Sequence, residues 1–385
     1  MYKKVLYFCL LVFLSWLLLY PAASCQGAPL IKAEAAILLD GRTGQVLYEK
    51  NSTKRQAPAS TTKILTALLA IESGRLDEVV TVSPAAAATP GSTMQLYTGQ
   101  KITMRELLTG LLLRSGNDAA VAIAQHLAGS TEAFAALMNQ RALELGAASS
   151  HFMNPHGLSH ADHYVSAYDL ARITQYALMN QTFAAIVRLK ETQIDWTDRR
   201  GQEADRNLRN TNKLLWMLPE ADGVKTGTTG RAGPCLVASA TKDNQQLIAV
   251  VLHDSARWHD AAALLNYGFS QFSLMDVAAS GDVIAPVLIE KGLDSAVDAL
   301  AAEDAALVIA AKNKKNATVE YHLPEIVKAP VYRGQKLGEI VFFQDQQAVK
   351  SVDLIAAKDV REDSLEQAFL TQLLKTYRLL SNCGL

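Results

Sequence analysis

Ser60-Thr61-Thr62-Lys63 sets a hydroxyl and an amine three residues apart, just after Pro58-Ala59 and at the head of the apolar series Ile64, Leu65, Leu68 and Leu69. If the segment is helical, both side chains face one spot. A serine hydroxyl is a weak nucleophile near neutral pH, and a lysine can act as its base only where desolvation and nearby positive charge keep the amine neutral. The N-terminus of such a helix adds free N–H groups and a favourable dipole for negative charge developing on an attacked carbonyl oxygen. Alone, the tetrapeptide is weak evidence, and an ordinary capped, exposed helix start is the reading it favours.

Two later stretches extend the chemistry. Ser115-Gly116-Asn117 follows the amphipathic run Met104, Leu107, Leu108, Leu111, Leu112 and precedes a second helical pattern from Asp118 to Leu127, so it is expected in a tight connection between helices. A hydroxyl and a carboxamide held there can shuttle a proton and grip a peptide bond, although an isolated Ser-Gly-Asn also reads as a plain turn. Lys225-Thr226-Gly227-Thr228 follows Asp222-Gly223-Val224 and precedes Gly230 and Gly233. A glycine-rich strand edge of this kind lets a ligand lie against the backbone while Lys225 and Thr226 hold a carboxylate.

In this order the three motifs resemble the signature of the penicillin-recognising serine enzymes, Ser-x-x-Lys, Ser-x-Asn and Lys-Thr-Gly. The closer likeness is to the D-alanyl-D-alanine carboxypeptidases among the low-molecular-weight penicillin-binding proteins. It is carried by the stretches 113–120, Phe152-Met153-Asn154-Pro155-His156-Gly157-Leu158, Ser166-Ala167-Tyr168-Asp169-Leu170-Ala171 and 222–227. It covers residues 30–275 closely and is looser beyond, where Lys328-Ala329-Pro330-Val331 with Gly334 and Gly338 is similar to the family's second domain.

The resemblance implies an acyl-enzyme mechanism on peptidoglycan stem peptides ending in D-Ala-D-Ala. Ser60 would attack, Lys63 would be the base, and Ser115 with Lys225 would relay the proton to the leaving amine. Asn117 would orient the substrate amide, and the N–H groups of Ser60 and Thr228 would form an oxyanion hole. Thr226, Gly227, Thr228 and Arg257 would line the site of the terminal carboxylate, a surface ion pair being the other reading of Arg257. β-Lactam antibiotics would acylate Ser60. Class A β-lactamases instead carry Ser-Asp-Asn and a water-activating loop glutamate, whereas here the motif is Ser-Gly-Asn and residues 154–158 contain no acid. D,D-endopeptidase action, a β-lactamase and a catalytically silent wall-binding or penicillin-sensing protein are the alternatives.

The elements that must position these groups read as α+β. Ala35–Leu39 and Gln45–Glu49 flank Asp40-Gly41-Arg42-Thr43-Gly44, a hairpin signal, and a second hairpin is expected from Leu236–Ala240 and Gln246–Leu252, followed by a helix from Trp258 to Tyr267. An antiparallel sheet flanked by helices follows. The resemblance adds an all-helical lobe with the site in the groove between, in a β-lactamase/transpeptidase-like arrangement. From Gly281 the short apolar runs Val283–Ile289, 306–311, Thr318–Tyr321 and Glu339–Phe343 indicate a small all-β domain.

The expected organisation is a signal peptide over 1–24, a catalytic domain over 28–275, a β-rich domain over 281–360 and an amphipathic segment over 362–385. Lys3 and Lys4, the apolar run Val5–Tyr20 and the small residues Ala22-Ala23-Ser24 make up the leader, with a retained anchor or lipidation at Cys25 as competing readings. Leu365, Phe369, Leu373, Leu374, Tyr377 and Leu380 recur at helical spacing, which suits packing on a domain or lying in a membrane interface. The resemblance favours the outer face of the cytoplasmic membrane. At 385 residues, 49% hydrophobic and 19% charged, the chain has material for a large core, and its net charge of −1 with no basic tract argues against a nucleic-acid partner. Cys235 sits in an apolar run and reads as a buried thiol. His151, His156, His160 and His163 cluster, but Pro155, Gly157 and Ser159 break any helix that would align them as metal ligands. They are expected to bond locally in a polar loop, and neither metal nor cofactor is expected.

Overall fold

The computed structural model describes residues 27–363 together with Phe369 and Leu373. The predicted leader and nearly all of the 362–385 segment lie outside these residues. The fold opens with β1 (Ala35–Asp40), whose six residues are all buried, paired antiparallel with β2 (Val46–Lys50). Asp40 closes the turn between them: its Oδ1 accepts from Arg42 N and Thr43 N at 3.1 and 2.8 Å, an Asx-type bend.

Four helices follow that matter to the site: α1 (Lys63–Glu72), α2 (Met104–Leu113), α3 (Asn117–Ala128) and α4 (Ala167–Met179). α2 starts on a capping box formed by Thr103 and Glu106, and α3 stops at Gly129 in the left-handed region, φ +81°. α2, α3 and the helix Thr131–Glu144 form a helical lobe, with α1 packed against all three and against α4. The sheet is completed by β3 (Ala221–Thr229), β4 (Gly233–Lys242) and β5 (Gln245–Leu252), in the spatial order β2-β1-β5-β4-β3. Every pairing in it is antiparallel. α4 and a further helix, α5 (Arg257–Gln271), pack on this sheet. β1, β4 and β5 are nearly continuous apolar runs, the pattern of strands covered on both faces.

A hairpin of Glu191–Thr197 and Glu203–Arg209 has no counterpart in the sequence reading. Its strands are mostly polar and bury only Ile194 and Leu208, so no apolar periodicity announces it.

The C-terminal part is all-β. A six-stranded sheet runs in the order Ala317–His322, Lys336–Gln344, Gln347–Ala356, Ala296–Ala301, Val283–Glu290, Ile326–Lys328. It encloses its own core, which includes Val287, Val297, Ile340, Phe342 and Leu354. Phe272–Ala278 pairs with Ala305–Ala310, and Met275 and Ala278 pack into this second core, so the strand straddles the boundary expected near 275–281. Arg42, in the β1–β2 turn, faces Asp276 at 3.6 Å and Asp304 at 3.4 Å and so links the first sheet to the second core. The protein is thus an α+β fold, an antiparallel sheet flanked by helices with a helical lobe, followed by a small all-β domain.

Candidate active site

Ser60 sits in a 3-10 turn, Ala59–Thr62, that runs directly into α1. The turn is held in an uncommon conformation. Ala59 has φ +49°, a region costly for a residue with a Cβ. Thr62 Oγ1 donates to the Ala59 carbonyl at 2.9 Å and Thr61 Oγ1 donates to Pro58 O at 2.7 Å. The carbonyl of Ala59 lies so close to Gly157 that a Cβ there would come within 1.8 Å of it, so only glycine fits.

This geometry brings the first motif together. Lys63 Nζ lies 3.0 Å from Ser60 Oγ, 2.7 Å from Asn117 Oδ1 and 2.7 Å from the His156 carbonyl oxygen. Lys63 is fully buried, and its proton affinity is pushed well below that of an ordinary lysine, first by burial and then by the positive charge of Lys225, with Asp118 opposing. A neutral amine has two N–H donors and one lone pair. Asn117 Oδ1 and the His156 carbonyl can take the two donors, which leaves the lone pair for the Ser60 hydroxyl.

Ser115 and Asn117 come from the α2–α3 connection, as their spacing predicts. Ser115 has φ +61° and is buried, and its hydroxyl has no hydrogen-bond partner among the described residues. Asn117 is the first residue of α3, and its Nδ2 donates to Pro90 O at 2.7 Å. Asp118, which the sequence reading passed over as a helix residue, is the anchor of this corner. Its buried carboxylate accepts from Thr93 Oγ1 at 2.5 Å and from the backbone N–H groups of Met94, Leu96 and Ala119 at 2.9, 3.0 and 2.9 Å. The loop from Pro90 to Leu96 is thereby pinned beside Asn117, with Asn117 N donating to Ser92 O at 2.7 Å.

The third motif lies on β3, the edge strand, as expected. Lys225 is 1% exposed, and burial followed by the charge of Arg257 lowers its pKa to about 7. Its Nζ donates to Thr226 O at 3.1 Å. Gly227 allows β3 to reach the nucleophile: a Cβ there would stand 2.8 Å from Ser60 N. Thr226 Oγ1 pairs with Thr211 Oγ1 at 3.1 Å, and Thr228 Oγ1 donates to Gly227 O at 2.7 Å. Arg257 makes no ion pair within 4.0 Å among the described residues. It donates through Nη1 to Gly227 O and Thr228 Oγ1, both at 2.8 Å, and stacks at 4.7 Å on the Trp258 ring. Cys235 is a buried free thiol opposite Gly227, its pKa raised by burial to about 11.

The histidines depart from expectation. His151 and His160 do bond within their loop, to Asp162 O and Asp162 N. His163, however, is buried and reaches Thr62, 101 residues away, at 3.0 Å. Met153 N donates to its Nδ1 at 3.4 Å, which leaves Nε2 to carry the proton and donate to Thr62 Oγ1. Burial lowers the pKa of both His163 and His156 to about 3, so both rings are neutral near pH 7. The 154–158 segment thus meets α1 with backbone carbonyls, His156 O on Lys63 and Pro155 O on Thr66, rather than with an acid. Gly157 was the one available sequence signal for this contact.

Comparison with known proteins agrees with this arrangement. Residues 22–256 match the model of the D-alanyl-D-alanine carboxypeptidase family, and residues 272–362 match that of the penicillin-binding protein 5 C-terminal domain. D-alanyl-D-alanine carboxypeptidase DacF of Bacillus subtilis is 36% identical over 354 residues, covering 90% of this chain and 89% of its own. Penicillin-binding protein 5 of Haemophilus influenzae superposes with a TM-score of 0.73 at 30% identity, over 88% of this chain and 100% of its own. The Streptomyces K15 DD-transpeptidase superposes with a TM-score of 0.61 at 35% identity, covering 64% of this chain and all of its own. With a shared fold and one family model spanning more than half of its length, the chain belongs to the D-alanyl-D-alanine carboxypeptidase family.

Proposed function

We propose that the protein is a serine-type D-alanyl-D-alanine carboxypeptidase that removes the terminal D-alanine from peptidoglycan stem peptides and is acylated by penicillin at Ser60. The observation that carries this reading is the buried Lys63 amine, 3.0 Å from Ser60 Oγ, with its proton affinity lowered by burial and by the charge of Lys225. Lys63 takes the hydroxyl proton as Ser60 Oγ bonds to the carbonyl carbon of the penultimate D-alanine. The N–H groups of Ser60 and Thr228 receive the developing oxyanion. The unpartnered Ser115 hydroxyl, with the protonated Lys225 amine, hands a proton to the departing D-alanine nitrogen as the peptide bond breaks. Asn117 orients the substrate amide, while Thr226, Gly227, Thr228 and Arg257 form the end of the groove that takes the terminal carboxylate. Water then cleaves the ester. The approach of carbonyls rather than a carboxylate from residues 154–158 favours a long-lived penicilloyl adduct over β-lactamase turnover.

Export across the cytoplasmic membrane by the first 24 residues, catalysis on its outer face and attachment by the C-terminal segment belong to the same proposal. Phe369 and Leu373, four residues apart in sequence, each helical and each exposed, support an amphipathic segment. Among the described residues no helix is long and apolar enough to cross a membrane. Incubation of the leader-free protein with a fluorescent penicillin and with diacetyl-Lys-D-Ala-D-Ala tests the activity. A Ser60 adduct by peptide mass spectrometry and released D-alanine are expected; an adduct without D-alanine release would overturn the carboxypeptidase assignment.

A further inference from the structure

A planar peptide unit carries its carbonyl and its N–H on opposite edges, so holding one edge aims the other. The unit between Ala59 and Ser60 is held in this way. Its carbonyl edge meets the 152–163 segment: Ala59 O accepts from Thr62 Oγ1 at 2.9 Å and fills the place a side chain on Gly157 would need. Its nitrogen edge lies against β3, where a Cβ on Gly227 would come within 2.8 Å of Ser60 N. Ala59, at φ +49°, does not take up this orientation unaided, because a left-handed residue with a Cβ persists only where its surroundings impose the conformation.

Thr62 helps to impose it, and Thr62 is itself steered. A hydroxyl has one proton to give and two lone pairs to accept with. His163 Nε2 donates to Thr62 Oγ1 at 3.0 Å, which leaves the hydroxyl proton turned towards Ala59 O, and hydrogen bonds in series strengthen one another. The imidazole is fixed in turn. It is buried, Met153 N donates to its Nδ1 at 3.4 Å, and the Phe152 ring meets it edge-on at 5.7 Å. Phe152 N and O bond to the Asn139 side chain at 2.7 and 2.8 Å, on the helix Thr131–Glu144. A continuous set of contacts therefore runs from the helical lobe through His163 and Thr62 to the peptide unit of the nucleophile.

We propose that His163 and Thr62 are positioning residues that aim the Ser60 N–H at the oxyanion, acting through the Ala59 carbonyl. This rests on the reading of Ser60 as nucleophile and oxyanion donor given above. A donor so placed meets full negative charge only in the transition state, so misaiming it slows the chemical step and leaves ground-state binding nearly untouched. A role in stability alone would lower the number of working sites and leave each one as fast as before.

The test follows acylation of the leader-free full chain by a fluorescent penicillin in quenched flow, which separates the limiting rate constant from the half-saturating concentration. Rates are expressed per site that finally becomes labelled. Thr62→Val keeps the shape and loses the hydroxyl. Its limiting rate should fall about tenfold to a hundredfold, less than the outright loss of an oxyanion donor, with half-saturation moved by less than about twofold. Thr62→Ser should recover most of that rate. His163→Leu should slow acylation in the same manner, and His163→Gln, which still offers an N–H, should recover part of it. The double variant Thr62→Val/His163→Leu should be no slower than Thr62→Val, since both act along one path. A valine variant as fast per labelled site as the parent would overturn the proposal, as would a shifted half-saturation at unchanged limiting rate, or losses that multiply in the double variant. Failure of both the valine and the leucine variant to fold would overturn it too, because the link would then serve the fold rather than the reaction. A parent that is acylated but releases no D-alanine from a D-Ala-D-Ala peptide would overturn the carboxypeptidase reading alone, with the acylation rates still deciding the positioning role. A parent that penicillin does not acylate would overturn both.

Discussion

In the proposed mechanism the chemistry of this site turns on one lysine whose proton affinity burial lowers. Lys63 is surrounded so that protonation costs burial energy and meets the charge of Lys225. Lys63→Ala should therefore slow penicillin acylation of Ser60 by about 10²–10⁴-fold, the usual contribution of general-base catalysis, while the far-UV circular dichroism is retained. Unchanged labelling in that variant would remove Lys63 as the base. A second expectation concerns pH. In the proposed mechanism Lys225 acts protonated, and its pKa is lowered to about 7, so kcat/KM should fall as pH rises through that value; as pH falls, Lys63 gains its proton and activity should be lost on the acid side. The two limbs belong to the coupled pair of lysines. Arg257 is the second cause of the depressed Lys225 value, so Arg257→Gln should move the alkaline limb to higher pH in a pH–rate profile. The residues of the three motifs were legible in the sequence because each carries a reactive group at a fixed spacing. His163 and Asp118 were not, since a buried hydrogen bond joining residues far apart leaves no local pattern.

At the scale of elements, the site depends on segments that hold one another. Asp118 at the start of α3 gathers a hydroxyl and three backbone N–H groups, and through them the 90–96 loop. Asp118→Ala should strand several of these donors and cost about 3 kcal/mol or more in urea unfolding, with Asp118→Asn recovering part because its remaining oxygen still accepts. Both variants should also raise KM, because the loop also carries the Pro90 carbonyl that orients Asn117. If the loss in stability came without any kinetic change, the loop would be structural only. Strong apolar runs such as Val46–Lys50 with Ala35–Asp40, or Gly233–Lys242 with Gln245–Leu252, were readable to within a few residues. The hairpin at 191–209 was not, because its stability comes from two buried apolar residues and an arginine stacked on tryptophan rather than from a periodic apolar face.

Over the whole molecule, the hydrophobic core around α1 and the core of the β domain are separate, and the residues of the three motifs all lie in the part that holds the first. The Streptomyces transpeptidase, wholly covered by 64% of this chain, is a similar fold of the length of that first part alone. A fragment ending at Gln271 should therefore fold and still be acylated by penicillin at a rate within about threefold of the full chain, a difference of less than 1 kcal/mol in the barrier. A fragment that folds but fails to react would show that the β domain shapes the site, with the Arg42 contacts to Asp276 and Asp304 as the first suspects. The β domain itself was only half visible in sequence. Ala296–Ala301 and Gln347–Ala356 alternate small or polar residues with apolar ones too weakly to stand out, and they become strands because neighbours on either side supply partners.

Among the described residues β3 has a neighbouring strand on one side only. The nucleophile's turn meets it at Gly227, and we expect an extended substrate peptide to add itself there as the sheet's next strand, recognised first through its main chain. Specificity then becomes a question of register. Sliding such a peptide by one residue would turn every side chain to the opposite face and carry the terminal carboxylate away from the proposed Thr228 position, so trimming by a single D-alanine would rest on the alignment rather than on any one pocket. Replacing the N–H that such a strand offers to β3 with N-methyl should weaken binding about tenfold whatever side chains it bears, and a peptide that kept its affinity after that change would not be lying as a strand.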